Sequence, residues 1–293
     1  MNQKPFVIGI GELLWDVFPD HKQLGGAPCN FAFHVSKLGI DGLAISAIGK
    51  DKLADEIIQR LNVVGLKHDI QEVDHPTGTV QVTLSDDGIP QYEICKPVAW
   101  DFIAMKTEYK RIAASTKAVC FGSLAQRGKV SQATIRSFVK QVPNSALKVF
   151  DINLRQHFYS KQLLQESLDI CNVLKINDDE IKIVAEMFGL YGNEEENCSV
   201  LLDQFNLKLV ALTCGTAGSY LITKDETSFL PTPKVKVADT VGAGDSFTAA
   251  MVVGLLTEKS LKETHQMAVN LSAFVCTQKG AMPEYNETQI NNI

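Results

Sequence analysis

Ala238-Asp-Thr-Val-Gly-Ala-Gly-Asp-Ser-Phe247 runs directly into a long apolar pattern that predicts a helix from Ala243 to Thr257. Gly242 and Gly244 leave room for a ligand to approach the backbone. The N–H groups at a helix start point outward and carry partial positive charge, so Gly242, Ala243 and Gly244 read as an anion hole suited to phosphate. Asp245 stands inside that turn. A carboxylate there would repel a bound phosphate, which makes it a poor choice for binding alone. It makes sense as a base that takes a proton from an incoming hydroxyl while the amides hold a transferred phosphoryl group. A helix-capping aspartate in a glycine turn is the competing reading.

Outward from this turn, strand-like and helix-like runs alternate. Leu207 to Thr213, Val173 to Ile176, Leu147 to Asp151 and Lys117 to Phe121 read as strands, as do Phe6 to Ile10 and Leu43 to Ile48. Cys29 to Leu38 reads as a helix stopped by Gly39. Lys52 to Val64 reads as another, capped by Asp51 and ended by Gly65, and Leu261 to Gln278 as the last. This alternation predicts an α/β fold of three layers, a doubly wound and mainly parallel sheet between helices. One stretch breaks the rhythm: Thr77 to Ser85 alternates polar and apolar, Asp86-Asp87-Gly88 supplies turn chemistry, and Gln91 to Ile94 resumes. Leu13 to Phe18 adds a neighbouring strand. A small β lid, from about 12–24 and 76–100, within one domain spanning 1–293 is the expected organisation.

Bulk properties narrow the function classes. The 293 residues suffice for a large core, with 45% hydrophobic and 21% charged residues and a net charge of −6. No basic stripe offers itself to nucleic acid or anionic lipid, and Glu194-Glu195-Glu196 reads as a solvated helix start. No apolar run approaches a membrane span, and Lys4-Pro5 leads into a strand without a signal pattern. The seven cysteines (29, 95, 120, 171, 198, 214 and 276) are scattered and form no CxxC pair. Reduced thiols in a cytoplasmic protein are the expectation.

Three further motifs carry chemistry. In Leu24-Gly-Gly-Ala-Pro-Cys-Asn30, Gly25 and Gly26 permit close approach, and the Asn30 amide both donates and accepts, as a sugar diol requires. Asp16 would accept from other hydroxyls; a turn or a cap is the plainer account of each. In Lys175-Ile-Asn-Asp-Asp-Glu180, Asn177 and Glu180 share a helix face and offer oxygen ligands suited to Mg²⁺ held largely through water. A capping arrangement with Glu180 at the third helical position fits the same spacing. Thr213-Cys-Gly-Thr-Ala-Gly-Ser219 is a small-residue loop that suits a nucleotide or a tight turn. Gly9-Ile-Gly11 lacks the third glycine of a dinucleotide fingerprint, which argues against an oxidoreductase.

Together and in this order, these motifs resemble the PfkB/ribokinase family of carbohydrate kinases, from Ile8 to Tyr285. Asp239 to Asp245 meets its Asp-Thr-x-Gly-Ala-Gly-Asp signature in full. Gly25, Gly26 and Asn30 meet its Gly-Gly-x-x-x-Asn element, and Asn177 and Glu180 its Asn-x-x-Glu motif. The resemblance implies a ribokinase-like fold and use of ATP and Mg²⁺. It makes Asp245 the base and gives the anion-hole amides to Gly242, Ala243 and Gly244. Asn177 and Glu180 would organise the metal. Thr213, Gly215, Gly218 and Asn270 would line the nucleotide site, and Asp16, Gly26 and Asn30 would hold the sugar. It further implies a homodimer through the lid and a monovalent cation, K⁺, near Asp239, Val241 and Gly280; equal rates in sodium, potassium and large organic cations would remove that cation.

The opening Gly11-Glu-Leu-Leu-Trp-Asp-Val-Phe-Pro19 resembles bacterial fructokinases. Phe150-Asp-Ile-Asn-Leu-Arg155 resembles a segment shared by fructokinases and 2-keto-3-deoxygluconate kinases, and places Arg155 at a substrate oxygen or the phosphates. Gln156-His-Phe-Tyr159 departs from the Leu-Trp that fructokinases carry there. His21, Lys22 and Lys96 are the cations available to a phosphosugar, and solvation accounts for all three. The expected acceptor is an unphosphorylated hexose, fructose first, with 2-keto-3-deoxygluconate or ribose as alternatives. A non-catalytic sugar sensor on the same fold would be expected to lose the base or the anion hole, and this chain retains both.

Overall fold

The computed structural model describes residues 6–84, 90–285 and 289. Among these, the strands are β1 (Phe6–Ile10), β2 (Leu14–Val17), β3 (Lys22–Gly25), β4 (Asp41–Ile48), β5 (Lys67–Glu72), β6 (Gly78–Leu84), β7 (Pro90–Ile94), β8 (Ala118–Phe121), β9 (Leu147–Asp151), β10 (Val173–Asn177), β11 (Leu209–Thr213), β12 (Ser219–Ile222) and β13 (Thr227–Leu230). The helices are α1 (Ala27–Lys37), α2 (Lys52–Val63), α3 (Glu108–Ser115), α4 (Lys129–Gln141), α5 (Lys161–Leu168), α6 (Asp178–Phe188), α7 (Glu194–Gln204), α8 (Ala243–Leu256) and α9 (Leu261–Cys276).

Nine strands form one sheet in the order β13-β12-β11-β10-β9-β8-β1-β4-β5. The seven strands from β11 to β5 run parallel, and β12 and β13 add an antiparallel hairpin at one edge. The sheet is buried on both faces because its strands are apolar at successive positions. Val7, Ala118, Cys120, Val149 and Val173 point to a layer built on α1, α2, α8 and α9. Their neighbours Ile8, Val119, Phe121, Phe150 and Leu174 point to the opposite layer, with α3 to α7.

The four remaining strands form a second sheet, ordered β3-β2-β6-β7. Here β2 pairs parallel with β6, while β3 and β7 run antiparallel to their neighbours. Val80, Val82 and Ile94 face inward, whereas Tyr92 is exposed. The expected turn residues Asp86, Asp87 and Gly88 lie outside the described residues.

Several local expectations match the structure. Asp51 caps α2, accepting from Ala54 N at 2.9 Å, and also accepts from Thr77 N and Oγ1, which ties that helix to the start of β6. Asn193 and Glu196 form a capping box at the acidic start of α7. All seven cysteines are free. The expectations leave out β5, whose Lys-His-Asp-Ile-Gln-Glu sequence has no apolar run. It is an edge strand, and a charged edge discourages pairing with another chain.

Candidate active site

β4 and β8 leave β1 on opposite sides, so the chain's crossovers part at β1 and open a crevice at the carboxyl ends of the strands. Into that edge project Gly11-Glu12 after β1, Asp151 ending β9, Asn177 ending β10 and Thr213 ending β11.

Asp245 lies in the first turn of α8, behind Gly242. Gly242 has a φ of 79°, and a Cβ there would lie 2.6 Å from that of Ala281. Only glycine adopts this conformation without strain while allowing so close an approach. Among the described residues, no side chain caps the helix. The carboxylate of Asp245 instead accepts from Asn30 Nδ2 at 2.7 Å, across 215 residues of sequence. The capping reading of Asp245 therefore gives way, since Gly242 holds the cap position and the carboxylate is turned to α1. Burial, then the Asp151 charge, pushes the Asp245 pKa up to about 7, and Glu12 adds to this against the pull of Asn30 and Lys175.

Lys175 and Asp151 complete this centre; both stand in the quoted segments, which assign neither a role. Lys175 Nζ lies 3.2 Å from Asp151 Oδ1, with both side chains almost wholly buried. Burial works to discharge Lys175, but Asp151, Glu180 and Asp245 together hold its pKa above the ordinary value. The same Nζ would stand 3.1 Å from a Cβ at Gly244, so a cation flanks the helix start. Thr248 Oγ1 donates to Asp151 Oδ2 at 2.9 Å and fixes that carboxylate against α8. The available signal was a lysine at the third position of an otherwise apolar strand, Val173-Leu-Lys-Ile176.

The sugar-side candidates gather about the Gly25-Gly26 loop, and Asn30 among them reaches Asp245. Gly26, with a φ of 128°, opens α1, and a Cβ on it would sit 2.4 Å from the Glu12 carbonyl oxygen. Its own carbonyl accepts from Asn30 N at 3.0 Å. A Cβ on Gly25 would meet Asp16 Oδ2 at 2.7 Å, which places Asp16 of β2 against the same loop. Burial raises the Asp16 pKa to about 6 while the Arg155 charge lowers it. Arg155 is exposed and bears electrostatically on both Asp16 and Glu12. Among the described residues, Glu12 Oε2 and Asn30 Oδ1 are buried acceptors without a hydrogen-bond partner. Such groups are costly unless a donor reaches them.

Asn177 and Glu180 adopt the capping box. Asn177 Oδ1 accepts from Asp179 N and Glu180 N, while Glu180 Oε2 accepts from Asn177 N and Oε1 from Leu154 N. With both carboxylate oxygens engaged, this donor set suits Mg²⁺ through water rather than by direct ligation. Among the described residues, no three His, Cys, Asp or Glu side chains are grouped to hold a metal. Asp239 brings its two companions together, since Oδ1 accepts from Val241 N at 3.1 Å and Oδ2 from Gly280 N at 3.0 Å.

The loop from Thr213 to Gly218 is a tight turn between β11 and β12, closed by Cys214 N donating to the Gly218 carbonyl at 2.8 Å. Gly215 is exposed and accepts from Thr232 Oγ1 at 2.6 Å. Asn270 lies on α9, where it accepts from Gln266 Nε2 at 2.6 Å; among the described residues, no hydrogen bond joins it to this loop.

A family model for the pfkB family carbohydrate kinases matches residues 11–289. The chain belongs to this family. Its sheet order and flanking helices are those of the ribokinase-like fold. This sugar kinase is 30% identical to a sugar kinase of Pyrococcus horikoshii over 294 residues, covering 93% of this chain and 90% of the relative. The crystal structure of that relative, described as an uncharacterized sugar kinase, superimposes with a TM-score of 0.83, covering 98% of this chain and 97% of that one. A fructokinase of Salmonella typhimurium is 26% identical, with 96% of each chain covered. The fructokinase of Xylella fastidiosa with bound ATP shares the fold at a TM-score of 0.87, covering 99% of this chain and 98% of that one at 20% identity. Among the described residues, no helix of the pfkB kinase is long and apolar enough to cross a membrane.

Proposed function

We propose that this carbohydrate kinase transfers the γ-phosphoryl group of ATP to a primary hydroxyl of fructose, with Asp245 as general base. The observation that carries the reading is the meeting of α1 and α8. Asp245 accepts from Asn30 there, beside two buried acceptors, Glu12 Oε2 and Asn30 Oδ1, that call for hydroxyl donors. A base with a pKa of about 7 is matched to proton abstraction near neutrality.

Asp16, Gly26, Asn30 and Arg155 hold the sugar so that one hydroxyl faces Asp245. Its oxygen attacks the γ-phosphorus, the bond from phosphorus to the bridging oxygen breaks, the proton passes to Asp245, and ADP leaves. The amides of Gly242, Ala243 and Gly244 stabilise charge on the transferred group, and Lys175 adds a fixed cation beside them. Thr213, Gly215, Gly218 and Asn270 line the nucleotide side. Mg²⁺, held through water near Asn177 and Glu180, would neutralise phosphate charge, and K⁺ would settle near Asp239, Val241 and Gly280. The sheet β3-β2-β6-β7 acts as a lid that excludes water, and its exposed strand offers a second copy a dimer contact. The enzyme works in the cytoplasm.

An unphosphorylated acceptor is supported by the cations on the sugar side. His21 pairs with Asp20, Lys22 with Glu56, and Lys96 lies over the Phe158 ring. The fructokinase relatives support fructose as the first acceptor to test. A coupled ADP-release screen across fructose, ribose, 2-keto-3-deoxygluconate, tagatose, adenosine and fructose 6-phosphate tests the assignment. Fructose should give the highest kcat/KM, and turnover of another acceptor with none of fructose refutes it.

A further inference from the structure

At the end of the sheet away from the crevice lies a cleft of about 770 Å³, between the amino ends of β9, β10 and β11 and the β12–β13 turn. Four lysines line it: Lys140 from α4, Lys148 from β9, Lys208 ahead of β11 and Lys224 from the turn. Two carboxylates, Asp169 and Asp225, also line it. Among the described residues, none of these lysines forms an ion pair, although Lys140 also bears on the Glu166 carboxylate.

Lys148 is the unusual member. It is 7% exposed, and among the described residues its ammonium meets only a neutral oxygen, Asn144 Oδ1, at 3.1 Å. Lys224 likewise meets Asn206 Oδ1 at 2.8 Å. Burial, and then the nearby Lys208 charge, lower the Lys148 pKa. Two neighbouring ammoniums, one on a mostly buried side chain and neither in an ion pair among the described residues, are unfavourable together until an anion compensates them. Elsewhere in the same sheet the buried Lys175 has Asp151; Lys148 lacks an equivalent.

We propose that this cleft is a second ligand site, built for a small molecule that carries a phosphate or polyphosphate group. Lys148 forms the floor, Lys140, Lys208 and Lys224 the rim, and Asn144 and Asn206 orient two of the ammoniums. Asp169 and Asp225 limit the positive charge, which favours a compact anion over an extended polyanion. The catalytic crevice lies at the opposite ends of the same strands, where Asp151 and Asn177 stand.

Reductive methylation of the full chain, read by mass spectrometry at each lysine, tests the site with inorganic pyrophosphate as the probe. Pyrophosphate at millimolar concentration should slow methylation of the exposed Lys208 and Lys224 about tenfold while leaving exposed Lys52 unchanged. Chloride at matched ionic strength should protect neither. Combining Lys148→Met with Lys208→Met should abolish protection of Lys224, and Lys208→Met alone should weaken it, with sugar-kinase turnover retained as proof of folding. Asp225→Asn should lower the pyrophosphate concentration required several-fold. Equal methylation with and without pyrophosphate, equal protection by chloride, or protection of Lys224 that survives the double substitution would each overturn the proposal.

Discussion

Replacing Asp245 by asparagine should slow catalysis and stabilise the protein at once. The amide keeps an oxygen to accept from Asn30 Nδ2, so the junction of α1 and α8 persists. What disappears is a carboxylate held up from 3.8 to about 7 by burial and by Asp151. That displacement corresponds to roughly 4 kcal/mol of unfavourable free energy for the ionised form. Part of Asp245 reaches solvent, so this is a ceiling. Between about pH 4 and 7 the folded chain keeps a proton that the unfolded chain has released, so raising the pH through this window destabilises the parent. Asp245→Asn escapes that loss. Its midpoint should exceed the parent's by up to roughly 8 °C at pH 8 and match it near pH 4. Turnover should fall about 10²–10⁴-fold, because no base remains to accept the proton. The parent's kcat/KM should rise with pH through about 7, and the variant's should not. Differential scanning calorimetry at the two pH values and an ADP-release assay supply the readouts. A variant within tenfold of parental turnover, or a stability gain equal at both pH values, refutes this account of Asp245.

Gly242→Ala should cost about 10²–10³-fold in kcat, because a methyl driven against Ala281 displaces the helix-start amides, with sugar KM changed far less. Asn30→Ala removes the donor that pulls the Asp245 pKa down, so the acidic limb of the pH–rate profile should move to higher pH and sugar KM should rise; an unmoved limb would disprove the link. Asp51→Ala strips the cap from α2 and two hydrogen bonds from Thr77, and should lower stability by about 1–2 kcal/mol in a urea titration with fructose KM little changed.

The parallel core was legible because its strands are buried on both faces, leaving apolar runs such as Phe6-Val-Ile-Gly-Ile10 that have only one plausible role. The edge strand β5 was not, since an edge strand takes its place from the backbone of β4 and needs no apolar pattern. Candidate motif residues could be picked out because glycine spacing, helix starts and acidic residues carry their chemistry locally. Lys175 and Asp151 were not readable in that way. Their meaning lies in a contact between two strands, and only the fold brings the ammonium within reach of three carboxylates. The pair Asn177 and Glu180 admits two readings from its spacing, and the structure displays the capping geometry.

Asp16 belongs to the four-stranded sheet, whereas Asp245 belongs to a helix of the central layers. A substrate held by both acts as a rivet between two parts of the molecule that otherwise meet through packing, short connections and polar ties such as those of Asp51 with Thr77 and Lys22 with Glu56. Fidelity against water would then be a property of the acceptor's shape as much as of the enzyme's chemistry. A sugar analogue that satisfies Asn30 but fails to reach Asp16 would leave the seam loose, and nucleotide would be spent on hydrolysis without any sugar being labelled. The ratio of ADP released to sugar phosphate formed, followed across truncated acceptors, would thus measure how firmly each one closes the seam.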